Sequence, residues 1–369
     1  MRKALPSLLL LPIFFSALSV ATHAQTVDSL DRAAISVRGA EHSVLLDVTK
    51  TGNRIVAVGE RGVAVLSDDG GHTWRQASVP VSVSLTRVKF VTQKSGWIVG
   101  HSGVVLHTAD GGETWTRQLE GKAAAKLAVD AMQANADHAG ASNAAAQRLL
   151  ADAQRLQTEG PDKPFLDLYF QDEKTGFVVG AYGMIFRTED GGATWKAWMD
   201  HVDNQRGMHI YAISAQGSTI YLAGEQGLFL RSTDGGAKFT SVATPYKGTF
   251  FTIALLPTKE VILGGMRGNA FCTADQGKSF SKVDLPISVS LSASVVMPDG
   301  SVIFSNQAGM ILASNDKGKS IHPILTSGMP PIAGLTNAGN GMLMTVGYGG
   351  VIPFSLNAKN TTTMNGGSK

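Results

Sequence analysis

Cysteine is almost missing from this chain: Cys272 is the only one in 369 residues. One thiol cannot close an internal disulfide, and no thiolate metal site can be assembled from it. Beside apolar strand-like residues it reads as a small core side chain. Charge of one sign is lacking too. The 32 Lys and Arg stand against 29 Asp and Glu, a net +3, too little to argue for nucleic acid as a partner. The nine histidines show no metal-ligand spacing such as His-x-x-x-His. No nucleophile elbow surrounds a serine, and no helix follows the Gly-x-x-Gly pairs as a phosphate loop requires. No cofactor is expected. Beyond the N-terminus no apolar run reaches the length of a bilayer span.

The N-terminus itself has the marks of a targeting signal. Arg2 and Lys3 precede a mostly apolar stretch from Leu5 to Val20, and Thr22-His23-Ala24 offers small residues for cleavage after Ala24. Residues 1–24 are therefore read as a signal peptide. The mature protein is expected to be soluble and monomeric, in the periplasm or secreted, with no membrane span of its own.

Glycine, by contrast, is plentiful at 42 residues, as in a chain with many tight turns. A motif Ser/Thr-x-Asp-x-Gly-x-Thr/Ser-aromatic explains much of it. The clear copies are Ser67-Asp68-Asp69-Gly70-Gly71-His72-Thr73-Trp74, Thr108 to Trp115 around Asp110, and Thr188 to Trp195 around Asp190. Looser copies centre on Asp234, Asp275 and Asp316. They begin at 67, 108, 188, 232, 273 and 314, so the intervals are 41, 80, 44, 41 and 41. A unit of about 40 to 45 residues with several short strands is the signature of a β-propeller. In such a box the aspartate accepts N–H bonds inside a tight turn, and the aromatic ring covers the blade. Recurrence in unit after unit points to a structural role, because a site is normally built once.

Before each box stands a hairpin flanked by β-branched residues, Gly-x-x-Gly as in Val58-Gly59-Glu60-Arg61-Gly62 or, before the sixth box, Ser305-Asn306-Gln307-Ala308-Gly309. A seventh, Val346-Gly347-Tyr348-Gly349-Gly350, has no box after it. The fold class expected is all-β: a seven-bladed propeller over residues 25–357. Its last blade runs out after three strands near Leu356. Ala33 to Val37 is assigned as the missing fourth strand, which would tie the termini together. Residues 358–369 read as a disordered polar tail.

Residues 119–160 break the period. Alanine, leucine and methionine from Lys122 to Ala136, then Asn143 to Thr158, follow helical spacing. Ser142 is the expected N-cap, with Leu127, Ala131 and Ala134 on one face. This helical hairpin joins blades two and three and is expected to overhang the Gly-x-x-Gly hairpins, away from the boxes. It is a candidate lid or docking arm.

The hairpin tips vary from blade to blade on a constant frame, as a recognition surface would. Glu60, Arg61, His101, Tyr182, Glu225, Gln226, Arg267, Gln307 and Tyr348 form the candidate binding ring. A sialidase-type glycosidase is the enzymatic alternative, with Tyr182 and Glu225 imitating its tyrosine–glutamate pair. Only Arg61 and Arg267 are present to hold a carboxylate, and no Phe-Arg-Ile-Pro start occurs. A carbohydrate-binding propeller using Trp97, Trp198 and Tyr182 is a third reading.

Ser95-Gly96-Trp97-Ile98-Val99-Gly100 and Thr175-Gly176-Phe177-Val178-Val179-Gly180, each followed by a hairpin and Thr-x-Asp-Gly-Gly-x-Thr-Trp, resemble the photosystem II stability/assembly factor family of Asp-box (BNR repeat) propellers. The resemblance spans roughly residues 40–356 and is taken to the family's non-photosynthetic bacterial branch. It implies a non-enzymatic factor that binds a membrane protein complex, with a transporter as one such partner. The 39 extra residues and the seventh blade without a box depart from the family pattern.

Overall fold

The computed structural model describes residues 28–285, 287–326 and 328–357. The expected signal peptide and the tail at 358–369 lie outside them. The chain forms seven antiparallel sheets in succession; six have four strands in sequential order, and the seventh has three. The inner strands are Leu45–Thr51, Leu85–Phe90, Phe165–Phe170, Ile210–Gln216, Phe250–Leu255, Leu291–Val296 and Ile332–Gly339. Each touches the inner strand of the next sheet, and the seventh touches the first. That closed cycle of contacts makes the molecule a seven-bladed propeller around one channel.

Burial follows from face-to-face stacking of blades. A second strand has a neighbouring blade on both faces, so it reads as an unbroken apolar run. Every residue of Gly96–Gly100 and of Gly176–Gly180 is buried. The fourth strands of blades one to six are only two to four residues long, which limits exposed edge.

Between third and fourth strands sits the box, and its second glycine packs on the preceding blade. A Cβ on Gly112 would press on Leu66, one on Gly236 on Phe177, and one on Gly318 on Ile262. Gly71 of blade one meets Met344 of blade seven in the same way. The ring is thus closed by the same side-chain packing that joins its other blades.

The expected closing strand is not formed. Ala33 to Val37 has no strand geometry and lies against blade one. The Ala34 N–H donates to the Val79 carbonyl, and the Gln76 side chain holds both the Val37 N–H and the Ile35 carbonyl. Leu30 is buried in the same cluster as Val79 and Val81, so the segment is anchored away from blade seven. The outer strand of blade seven, Gly350–Ser355, carries its own guard. Pro353 stands opposite Met344 in a register that runs unbroken from Ser355 to Gly350. Proline has no N–H, so it occupies a non-hydrogen-bonded pair, and its nitrogen faces the open edge, where it blocks a ladder.

The insertion forms helix α1 (Gly121–Ala139) and helix α2 (Ala144–Glu159). Glu120 caps α1 through the Lys122 and Ala123 N–H groups; Asn143, one residue beyond the expected Ser142, caps α2 through Ala146 N–H. The buried stripe of α1 is Ala124, Ala128, Met132 and Ala136, rotated one position from the expected one; Leu127 and Ala131 only flank it and Ala134 is exposed. The hairpin is rooted where expected, with Gly121 against Gly103. Its body is not. Helix α1 lies on the outer strand of blade three, Lys196–Ala197, and on the turn Met199–His201. It does not reach over the channel, because its apolar stripe is consumed by the flank of blade three. Among the described residues no helix is long and apolar enough to cross a membrane.

Candidate functional site: the channel mouth

A β-bulge recurs at the start of the inner strands. The pairing register slips between Leu45 and Asp47, Leu85 and Arg87, Ile210 and Ala212, Phe250 and Thr252, Leu291 and Ala293, and Ile332 and Gly334. In blade three the same slip falls between Phe165 and Asp167. A bulge sets two consecutive residues on one face of a strand, so each blade presents a pair to the channel.

The first residues of these pairs are Leu46, Thr86, Leu166, Tyr211, Phe251, Ser292 and Ala333. All seven line one open cavity of about 430 Å³ at the hairpin end of the channel, together with Pro331 and Ile332. The polar ones are occupied: the Thr86 hydroxyl donates to the Phe165 carbonyl at 2.7 Å, and the Ser292 hydroxyl to that of Ile332 at 2.6 Å. Tyr211 stands edge-on to Phe251 with ring centroids 5.2 Å apart, and partial burial pushes its phenol pKa up, so it stays neutral. The mouth is therefore a largely apolar bowl.

The second residues make its floor, with Arg87 alone of them lining the bowl and Asp47 and Asp167 in the polar cavity beneath. On blades one to three they are Asp47, Arg87 and Asp167; on blades four to seven they are Ala212, Thr252, Ala293 and Gly334. Arg87 Nη1 lies 3.3 Å from Asp47 Oδ1, and Nε lies 3.2 Å from Asp167 Oδ1. The Nε contact is ionic without being a hydrogen bond, since the N–H axis misses the oxygen. Burial works against the guanidinium charge, and Asp167 and Asp47 outweigh it, holding its pKa above the ordinary value. Each carboxylate also fastens a blade to the next. Asp47 Oδ2 accepts the Val88 N–H at 2.9 Å, and Asp167 Oδ2 accepts the Ile213 N–H at 3.0 Å. Gly334 is needed beside them, since a Cβ there would stand 3.0 Å from the Asp47 Cα. Below Arg87 lies a second, polar cavity of about 180 Å³ reaching Lys89, Ser214 and Thr336.

The candidate ring of hairpin tips does not converge. Glu60, Gln307 and Tyr348 stand at the mouth; Arg61, His101, Tyr182 and Arg267 line neither channel cavity. Glu225 and Gln226 face an outer groove with Arg206, Tyr246 and Lys247. The hairpins join second and third strands, halfway out along each blade, so only a few tips lean inward. Nor do Tyr182 and Glu225 pair. His209 lies between them, its ring 4.9 Å from Tyr182 and its Nδ1 3.5 Å from Glu225 Oε1. Of the candidate sugar platforms, Trp97 is fully buried, and Trp198 is stacked on His201 with Arg187 over its ring.

Asp69, Asp110, Asp190, Asp234, Asp275 and Asp316 spend their oxygens locally. Asp190 accepts the Thr194 N–H at 2.9 Å and the Thr188 hydroxyl at 2.9 Å, and Thr194 holds its carboxyl down at about 2. Ser279 does the same for Asp275, also about 2. In Asp110 and Asp316 burial pushes upward, yet the neighbouring hydroxyl and N–H donors prevail and leave both at about 2. Thr73 keeps Asp69 well below the carboxylate range. No group of three metal-ligating side chains occurs among the described residues. These depressed values predict an acid limit. The unfolded chain takes up protons near the ordinary value of about 4, the boxes only near 2, so stability is lost as pH falls through that window. Denaturation midpoints should hold from pH 7 to about 4.5 and then drop steeply towards pH 2. A decline centred near pH 6 would show that other groups dominate.

The comparisons agree with this architecture. A solved structure described as "YCF48 bound to D1 peptide" is 16% identical, covers 87% of this chain and 95% of that chain, and superposes with a TM-score of 0.60. "YCF48 from Cyanidioschyzon merolae" is 19% identical over 87% of this chain and 98% of that chain, with a TM-score of 0.61. "AFV00434, an ancestral GH74 enzyme" has a TM-score of 0.61 at 12% identity, covering 86% of this chain and 45% of that chain. Such likenesses establish the fold, which hosts enzymes and non-enzymes alike. The curated "Photosystem II assembly lipoprotein Ycf48" of Synechococcus sp. (strain CC9902) is 37% identical over 75 residues, 20% of this chain and 22% of that protein, so the match spans about a fifth of its length. The family model described as "Photosynthesis system II assembly factor YCF48" matches residues 23–141 and 151–283, well over half of the sequence. With the box repeat and the seven blades, that match makes the chain a member of the YCF48 assembly-factor family.

Proposed function

We propose that this protein is a non-enzymatic accessory factor that docks a segment of a membrane protein complex into its channel mouth, from the periplasmic or extracellular side. The observation that carries the reading is the bowl itself: seven bulge residues, one from each blade, present Leu46, Leu166, Tyr211 and Phe251 at an open apolar surface. Rigid aromatic and aliphatic walls in a concave site are what an inserted side chain needs to gain affinity. A relative of the same fold is described as bound to a D1 peptide, which supports a polypeptide as the ligand class. A transporter is one such partner that the family resemblance implies. The enzymatic alternative lacks a constellation, since His209 separates Tyr182 from Glu225.

A photo-reactive side chain at Tyr348 should cross-link the mature protein to a subunit of a membrane complex in intact cells. Phe251→Ala with Leu166→Ala should weaken that complex at least about tenfold in a quantitative pull-down, the loss expected of a buried anchor pocket. Unchanged recovery with both walls removed would refute docking at the mouth.

A further inference from the structure

The floor of the bowl decides what the bowl accepts. Arg87 is the one cation at the floor, and both neighbouring blades already set a carboxylate on it, Asp47 at 3.3 Å and Asp167 at 3.2 Å. Glu60 adds a third carboxylate at the rim of the same cavity. Lys89 lines the lower cavity together with Asp47 and Asp167, and Arg61 and Arg267 are exposed on hairpin tips outside the mouth lining. Asp47 and Asp167 thus hold the guanidinium from below the mouth, and Glu60 is the carboxylate of the mouth lining itself. Arg87 still offers hydrogen bonds: it lines both cavities, and its side chain keeps 18% exposure. A lone arginine beneath apolar walls would capture a free carboxylate. This doubly paired arginine offers N–H donors without a net positive field.

We propose that the mouth selects an uncharged, apolar turn from an internal segment of its partner, offering a backbone carbonyl to Arg87, and that Asp47, Asp167 and Glu60 together exclude a free C-terminal carboxylate. This rests on the mouth being the docking site. The walls supply affinity through burial of the inserted side chain. The floor supplies specificity by repelling a like charge. Two like charges about 7 Å apart at an effective dielectric near 20 repel strongly enough to shift an equilibrium by more than about tenfold.

The test uses the mature protein and an N-terminally dye-labelled peptide, Ser-Gly-Leu-Phe-Leu-Gly, made once as the C-terminal amide and once as the free acid. Fluorescence anisotropy at low ionic strength should give a Kd for the amide at least about tenfold below that of the acid. Glu60→Gln, an exposed rim change that breaks no contact of the fold, should narrow the gap by improving the acid form alone. Asp47→Asn, with folding checked by thermal melting, should narrow it further. Phe251→Ala should abolish binding of the amide, which assigns the signal to the mouth. An acid that binds as tightly as the amide, or a gap that Glu60→Gln leaves untouched, overturns the exclusion and leaves mouth docking standing. Failure of the amide to bind at millimolar concentration, or amide binding that survives Phe251→Ala, overturns both.

Discussion

Arg87→Ala should cost the fold about 3–5 kcal/mol, the range for removing one partner of a buried charge cluster. The loss is not that of one contact. Asp47 and Asp167 are 4% and 6% exposed, and without the guanidinium they remain as two buried carboxylates across a narrow channel. They cannot turn to water without releasing the Val88 and Ile213 amides they hold. Blades one to four are joined at the channel through these contacts, so the damage should spread along half the ring. Chemical denaturation is the measurement, with Arg87→Met/Asp47→Asn/Asp167→Asn as its companion. That triple variant keeps the amide acceptors and removes the charges together, so it should recover much of the loss. Equal destabilisation of the two variants would show that the triad matters for packing and not for charge.

Removing residues 122–158 and joining the ends with a short Gly-Ser linker should leave a protein that aggregates or melts far below the parent. The helices are part of the core and not an appendage. Ala124, Ala128, Met132, Leu150, Ala153 and Leu156 share one buried cluster with Trp97, Phe165, Phe186 and Trp195 of blades two and three. Uncovering those rings would create an apolar patch of the kind that drives association. The point variant Leu156→Ala offers a graded version and should cost about 2–4 kcal/mol. A deletion variant that stays monomeric by light scattering and keeps its melting temperature would return the insertion to the status of a surface arm.

How much of this was legible beforehand depends on the range of the interactions. A box aspartate bonds to groups no more than four residues away, as Asp316 does with Ser314, Lys319 and Ser320. Such a device writes itself into a short stretch of sequence, so its spacing could be counted. The helices were legible for the same reason, down to a one-residue error in the cap of α2. The closing strand was misread because Ala33 to Val37 could pair with any exposed edge. Gln76, Val79 and a blocking Pro353 decided against blade seven. The candidate site was mostly missed: Glu60, Gln307 and Tyr348 were found, while Arg87, Tyr211 and Phe251 were not. Variability among the hairpin tips drew attention outward, whereas the channel-facing pairs sit in strands that read as ordinary apolar runs.

By itself the sequence determined the repeat, the seven blades, the short final one and the structural use of the aspartates, because each is settled by neighbours along the chain. Only the tertiary structure decided what the channel presents. A bulge moves one residue across the face of a strand without any residue type of its own, and it took seven of them around a closed ring to bring Leu46, Arg87 and Phe251 to the same opening.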